Sequence, residues 1–291
     1  GRVALVFEYV CKEATVYLNE KCVGTVDSVR TAIDVSEALK YGEANRLDVL
    51  LYGQPETGVM VMSANGTGIS GDVYLERRRA PAAIQDVWVR KASGLDGSFE
   101  IVVEGRGEDA RNGKAVLDIL DAEGKEVAHA EQAAADAVTT LSGACAAFKP
   151  WSPDHPALFQ ARVRWLRGND LVDERFQRFG FRTLEIRNAR FLLNGKLLRL
   201  RTFFPSDASG VAAPGRFREL KRLGINSFFL HSSYFGYYSP FFERLDEEGF
   251  LSFAPTDRAQ PDAKTVADIR RYRSHPSVLA YVSDAFGQLD V

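Results

Sequence analysis

The sequence predicts a multidomain protein of the β plus α/β class, in which two β-sandwiches precede the first half of a (β/α)8 barrel. Two observations lead to this prediction. Up to about Arg187, strand-like segments recur at short intervals between turn residues, which is typical of β-sandwiches. After Arg187, strands alternate with helices, which indicates parallel β/α units. Because 291 residues suffice for two or three domains, we expect three, over residues 1–80, 83–187 and 188–291.

The first predicted domain is built of strands. Residues 3–10 and 15–18 are rich in branched and aromatic side chains, which favour strands. Asn19-Glu20 lies where a tight hairpin turn is expected, because asparagine tolerates the positive φ of such a turn. Residues 21–26 then form the partner strand. A short helical turn at residues 33–39 and a further strand at 45–51 follow.

The second predicted domain has the strand spacing of an immunoglobulin-like sandwich. Strand candidates lie at residues 84–89, 98–103, 115–120 and 159–165, and the last alternates apolar and polar residues. A sandwich of this kind takes roughly 100 residues. The alanine-rich run at residues 128–147 is atypical of strands, and the sequence does not assign its structure.

The third predicted domain begins with a hairpin and continues as β/α units. Asn194-Gly195 between apolar residues indicates a type I′ turn. Helices are expected at residues 215–223, 240–248 and 263–272, and strands at 225–230, 250–253 and 278–282. About four units make half of an eight-stranded barrel. Since half a barrel has an open sheet edge, we expect a missing C-terminal half or another chain to cover it.

Composition restricts the possible functions. With 45% hydrophobic and 26% charged residues and a net charge of −2, nothing in the composition suggests a surface for nucleic acids or acidic lipids. No apolar run approaches the roughly 20 residues of a membrane helix. The cysteines Cys11, Cys22 and Cys145 lack regular spacing. Cys11 and Cys22 could face each other across a hairpin, but buried free thiols are the favoured interpretation. We expect no metal and no cofactor, because no metal-ligand cluster or phosphate-binding loop is apparent.

Several motifs resemble glycoside hydrolase family 2, which includes β-galactosidases, β-glucuronidases and β-mannosidases. The most specific are the run from Pro150 to Phe159, which contains Trp-Ser-Pro, and the run from Arg178 to Ile186. The resemblance extends to residues 190–201, 244–250 and 274–280 and to the hairpin at residues 15–26. It implies that residues 1–80 form a partial sugar-binding jelly-roll and that the barrel is of the catalytic type. It also implies β-linked glycans as partners and a retaining mechanism with two carboxylates about 5 Å apart.

The chemical positions of the family pattern are replaced at four strand ends. The family's Asn-Glu pair, whose glutamate is the general acid/base, corresponds to Ala285 and Phe286. Phe229 stands at a family arginine, Ala254-Pro255 at an Asp-Glu pair, and Arg201-Thr202-Phe203-Phe204-Pro205-Ser206 at an Arg-Gly-x-Asn-x-His motif. The segment that carries the family's nucleophile lies outside the chain. Because a methyl group and a phenyl ring cannot transfer a proton, we expect an inactive protein.

An alternative interpretation keeps hydrolysis. The chain starts without a methionine and immediately enters a strand, so we expect a fragment of a longer protein. In that case the active site of a retaining β-glycosidase would be completed by missing residues, with Asp284 or Asp257 as the acid. Asp284 precedes Phe286 by two residues and is therefore expected on the same side of the strand, where it could be a displaced acid. A solvated or hydrogen-bonded loop carboxylate is the favoured interpretation.

A second set of residues suggests glycan contacts at the barrel mouth. These candidates are Asn226, His231, Tyr234, Tyr237 and Tyr238. Aromatic rings stack on the apolar faces of sugars, but packing of this loop against the next helix is the favoured interpretation. His275 belongs to the family scaffold and is interpreted as structural, while His129 and His155 are expected at the surface.

Phenyl rings replace polar groups where the family faces its substrate. We expect Phe203, Phe204, Phe229 and Phe286 to cluster as an apolar plug that fills the pocket. The direction of Phe203 and Phe204 depends on the strand register, since a shift by one residue reverses both.

Overall fold

The structure is a computed structural model. It describes residues 2–7, 10–11, 13–26, 31–52, 68–69, 72–78, 84–105, 113–134, 137–205, 215–230, 239–256 and 263–283. Strands dominate these residues, and the helices among them all follow residue 214. None of the described helices is long and apolar enough to cross a bilayer. The mostly β class with a few helices is therefore confirmed, while the domain boundaries stay a prediction.

Antiparallel sheets make up the first region. Its strands are β1 (Arg2–Phe7), β2 (Val10–Cys11), β3 (Glu13–Leu18), β4 (Lys21–Val26), β5 (Thr31–Asp34), β6 (Leu47–Tyr52), β7 (Gly68–Ile69) and β8 (Val73–Arg78). They pair in the orders β5-β1-β8, β4-β3-β6 and β2-β7. Asn19 and Glu20 both have positive φ, at 51° and 68°, which confirms the predicted hairpin turn between β3 and β4.

The second region has two antiparallel sheets around one apolar core. The strands are β9 (Ile84–Ala92), β10 (Ser98–Gly105), β11 (Gly113–Leu120), β12 (Glu126–Ala134), β13 (Val138–Ala144), β14 (Phe159–Arg167) and β15 (Asp170–Phe179). Their orders are β13-β10-β9 and β12-β11-β14-β15. The alanine-rich run, unassigned from sequence, forms β12 and β13 on the edges of the two sheets. Trp165 and Phe179 lie in the core between the sheets.

A small hairpin sheet follows the second region. It comprises β16 (Leu184–Arg187), β17 (Arg190–Leu193) and β18 (Lys196–Leu197). Asn194 and Gly195 have φ of 51° and 75°, which confirms the predicted turn between β17 and β18. The Asn194 amide also accepts from Thr183 N at 2.8 Å and donates to the Trp151 carbonyl at 3.0 Å. The turn is thereby tied to the start of β16 and to the loop before β14.

A parallel sheet with helices forms the third region. Its strands β19 (Thr202–Phe203), β20 (Ser227–Phe229), β21 (Leu251–Thr256) and β22 (Val278–Ser283) lie in sequence order. Its helices are α1 (Arg216–Arg222), α2 (Ser239–Glu248) and α3 (Ala263–Tyr272). Gly224 and Gly249, with φ of 77° and 68°, follow α1 and α2 and end them as the sequence predicted. The alternation of strands and helices is thus confirmed.

Candidate functional site

The carboxyl-terminal edge of the parallel sheet is the place where β/α enzymes hold their reactive groups. The described residues at this edge are 204–205, 229–230, 253–256 and 281–283. Within these four stretches, no residue carries a carboxylate or an imidazole. The titratable side chain present is Tyr281, whose hydroxyl donates to the Ile269 carbonyl at 3.3 Å on the helix side of the sheet. Burial raises the pKa of Tyr281 above its usual range, so it does not supply an acid/base group near neutral pH.

Three phenyl rings form a row along this edge, on the face of the sheet away from the helices. The ring centroids of Phe204 and Phe229 are 5.9 Å apart, and those of Phe229 and Phe253 are 5.8 Å apart. The planes differ by 30° and 37°, so the rings are tilted only moderately against each other. Phe204 is 52% exposed, and the other two rings are half-buried. We call these three residues the phenyl row.

The phenyl row agrees only in part with the plug expected from the sequence. Phe204 and Phe229 are in contact as predicted, but neither is fully buried. The sequence prediction grouped Phe203 with Phe204 in one cluster. This is wrong, because successive strand residues point to opposite faces of the sheet. The Phe203 ring packs edge-on against Phe228 at 6.0 Å on the helix side. The sequence prediction did not include Phe253. Alternation along β21 places Phe253 on the same face of the sheet as Leu251, two residues earlier.

Most of the other site candidates lie outside the described residues. These are His231, Tyr234, Tyr237, Tyr238, Asp257, Asp284, Ala285 and Phe286. Since Phe286 is one of them, the contact between Phe229 and Phe286 that the plug requires also lies outside the described residues. Their roles therefore stay predictions.

Asn226 is described, and it lies at the opposite edge of the sheet. It precedes β20, and its amide accepts from Arg201 N at 2.8 Å and donates to the Arg199 carbonyl at 2.8 Å. These hydrogen bonds join the chain before β19 to the chain before β20. The structure therefore supports a structural role for Asn226 in place of a glycan contact at the barrel mouth.

A polar junction joins the second and third regions. The Asp246 carboxylate, almost fully buried, lies 2.6 Å from His275 Nδ1 and accepts from Ser277 N at 3.0 Å. Trp151 Nε1 donates to the Asp246 carbonyl at 2.9 Å. These contacts support the structural role expected for His275, because its imidazole is held beneath the sheet and away from the carboxyl-terminal edge.

Arg182 is the cation of this junction. Its guanidinium donates to the carbonyls of Pro276 and Val278, which precede and begin β22. Burial lowers the pKa of Arg182 to about 10, against the opposing influence of Asp246 and Tyr281. The side chain stays charged at neutral pH and positions β22 against the second region.

A cluster of possible metal ligands lies on the second region, which sequence spacing did not indicate. Asp118, Glu126 and His129 bring ligand atoms within 4.8 Å of one another. However, Arg162 and Arg164 donate to Asp118 Oδ2 at 2.7 and 2.8 Å. A divalent cation at Asp118 would adjoin two guanidinium groups, so these residues fit an ionic network better than a metal centre.

The same network sets the charge state of Asp118. Burial by itself raises the pKa of this carboxyl, but hydrogen bonds from Arg162 and His129 and the charge of Arg164 outweigh burial and hold the pKa below its usual value. His129 is exposed at the rim, as expected from the sequence. The carboxylate is therefore ionised and fully engaged, and it is not available as a nucleophile or a general base.

The sequence matches the model of the glycosyl hydrolases family 2 over residues 82–182. It is 28% identical over 276 residues to a β-galactosidase of Thermoanaerobacter pseudethanolicus, covering 87% of this chain and 36% of that protein. It is 25% identical over 310 aligned positions to a β-galactosidase of Thermoanaerobacterium thermosulfurigenes, covering 94% of this chain and 43% of that protein. The chain thus spans well under half the length of these curated relatives.

Solved structures share the fold. A β-glycosidase from Bacteroides vulgatus aligns with a TM-score of 0.73 at 22% identity, covering 98% of this chain and 40% of that one. A β-glucuronidase from Ruminococcus gnavus in complex with D-glucuronic acid aligns with a TM-score of 0.73 at 24% identity, covering 96% of this chain and 54% of that one. At these identities the likeness concerns the fold alone.

Proposed function

The chain belongs to glycoside hydrolase family 2, and we propose that it is a member without hydrolytic activity, with a glycan-binding or structural role in carbohydrate metabolism. One observation carries the proposal. The described carboxyl-terminal edge of the parallel sheet bears the phenyl row, without a carboxylate or an imidazole among its described residues. Retaining hydrolysis needs two carboxylates about 5 Å apart. In the sequence, the position of the family's acid/base is Phe286.

Three features of the sheets support a finer architecture. The two sheets around one core at residues 84–179 fit an immunoglobulin-like sandwich. Four parallel strands in sequence order, with helices between them, fit the first half of a (β/α)8 barrel. In the first region, Leu75 is 56% exposed although it pairs with the buried Leu5. Such an apolar edge fits a partial jelly-roll.

A retaining β-glycosidase is the second candidate function. It is favoured by the similarity to β-galactosidases over most of this chain, together with the share of those proteins that the chain does not span. In that case Asp284 or Asp257 would act as the acid, and residues outside this chain would supply the nucleophile. The chemistry of the described edge favours the first candidate.

Glycan binding is tested separately from hydrolysis. We expect oligosaccharides ending in β-linked galactose, glucuronic acid or mannose to bind the chain in isothermal titration calorimetry, through the sandwich regions or through residues 234–238. The double substitution Tyr237→Ala with Tyr238→Ala separates these two locations, and Phe204→Ala is the matched aromatic control on the phenyl row. Absence of saturable binding for all three sugars would leave only a structural role.

A further inference from the structure

A basic cleft lies at the amino-terminal edge of the parallel sheet, opposite the phenyl row. It has a volume of about 460 Å³ and lies between the loop before β14, the hairpin β17–β18 and the end of α1. Lys196, Arg199, Arg201 and Lys221 line it, together with Asp154 and His155. This volume falls within the range of roughly 300–1,000 Å³ that small-molecule sites occupy. The cleft therefore has the size of a site for a small metabolite.

The cations of the basic cleft are not neutralised by carboxylates. In the described part of the chain, none of the four cationic side chains forms an ion pair, and Asp154 is the one carboxylate among the lining residues. Several arginines elsewhere are paired with carboxylates: Arg162 with Asp118, Arg175 with Glu76 and Arg273 with Asp86. Because a concave surface with an excess of one sign of charge concentrates its field, four cations beside one carboxylate favour anions in the cleft, although the whole chain carries −2.

Two of the four cations are held in place by the main chain. Arg201 Nε donates to the Gly224 carbonyl, and Lys221 Nζ donates to the Pro153 carbonyl at 3.1 Å. These neutral partners fix the positions of the side chains without removing their charge. Lys196 and Arg199 are exposed and have no side-chain partner among the described residues, so their donors are free to bind a ligand.

Apolar side chains also line the basic cleft. Among them, Leu193 is buried, and Leu198 and Ile225 are half-buried. An inorganic anion would contact only the cationic side chains, whereas an organic ester could also place its carbon skeleton against the apolar side chains. Tetrahedral oxyanions with several acceptor oxygens match the many donors of two arginines and two lysines.

We propose that the basic cleft binds a small organic phosphate or sulfate ester. The oxyanion contacts Lys196 and Arg199, with Arg201 and Lys221 adding to the positive potential, and the organic part lies over Leu198 and Ile225. This site is distinct from the carboxyl-terminal edge and does not depend on the function proposed for that edge. It requires no catalysis by the chain.

The test is calorimetric titration of the 291-residue chain with glucose 6-phosphate, glucose 6-sulfate, glucose and inorganic phosphate. We expect both esters to bind saturably and glucose not to bind, with inorganic phosphate at least tenfold weaker than the phosphate ester. Comparing the two esters decides whether a phosphorylated or a sulfated compound is the better ligand. Raising the salt concentration is expected to weaken both, because the attraction is electrostatic and screened.

Matched variants locate the binding. The double substitution Lys196→Gln with Arg199→Gln is expected to raise the dissociation constant of the better ester at least tenfold. The control, Lys40→Gln with Lys125→Gln, removes two exposed cations elsewhere and is expected to change it less than twofold. Thermal unfolding checks that both variants fold, and Lys196→Glu alone serves as a second probe of the cleft.

Three outcomes would overturn the proposal. These are failure of both esters to bind, equal binding of glucose and its esters, and loss of binding in the control as large as in the cleft variant. Binding of a single-stranded RNA oligomer without binding of either ester would also reject it, in favour of a macromolecular partner.

Discussion

Replacing Arg182 is expected to loosen the third region from the second. Arg182→Met keeps most of the side-chain volume but leaves the carbonyls of Pro276 and Val278, both buried residues, without their donor. An unpaired buried acceptor costs about 1–3 kcal/mol. The substitution also removes a cation near the buried Asp246 carboxylate. For two acceptors, we expect the free energy of unfolding to fall by about 3 kcal/mol.

The measurement is urea unfolding followed by tryptophan fluorescence, since the buried Trp151 lies at the junction. Arg187→Met is the matched control, because Arg187 is 68% exposed and its pair with Glu185 at 3.4 Å is a surface ion pair. Such pairs contribute about 0–1 kcal/mol. Arg182→Lys keeps the charge but not the two-carbonyl geometry and is expected to fall between the two. A loss below about 1 kcal/mol for Arg182→Met, or one equal to the control, would refute the reasoning.

Three further predictions concern other positions. Asn194→Ala removes hydrogen bonds to Thr183 and Trp151 and places alanine at positive φ, so we expect chemical unfolding to show a loss of about 2–4 kcal/mol; an unchanged midpoint would contradict the role of the turn. Because the folded-state pKa of Asp118 is lowered, its contribution to stability is present above the unfolded-state pKa of about 4 and is lost as the pH falls through the folded value. The stability difference between wild type and Asp118→Asn is therefore expected to be smaller at pH 3 than at pH 7, and equal differences would contradict the network. Native labelling with iodoacetamide, mapped by mass spectrometry, is expected to modify the exposed Cys22 but not the buried Cys145, whose thiol pKa is raised by burial; equal labelling would argue against this placement.

Local signals in the sequence were sufficient for turns and helix ends. Asn19-Glu20 and Asn194-Gly195 form hairpins because their backbone preferences act within two residues. Gly224 and Gly249 end helices for the same kind of reason. The strands within the alanine-rich run were not predictable, because alanine has weak strand preference and the pairing of β12 with β11 supplies the order.

Features that depend on register or on distant pairing were missed or placed wrongly. Phe203 was expected in the site, but one residue of register turns it toward the helices. Asp118 meets His129 and Arg162 because these residues are direct partners in the β12-β11-β14 ladder, which sequence spacing does not reveal. Cys22 was expected to be buried, but it lies exposed on β4 opposite Tyr17. The basic cleft likewise combines residues from three separate parts of the chain.

The rate of aryl β-glycoside hydrolysis tests the central claim most directly. Nitrophenyl galactoside, glucuronide and mannoside are incubated with the chain and with Asp284→Ala, and release of nitrophenol is compared with a buffer blank. Removing a general acid/base alone usually costs a factor of about 10²–10⁴ in rate, so we expect release at the level of the blank for all three substrates and for both proteins. Release well above the blank that Asp284→Ala abolishes would contradict the account and establish an active glycosidase with Asp284 as its acid.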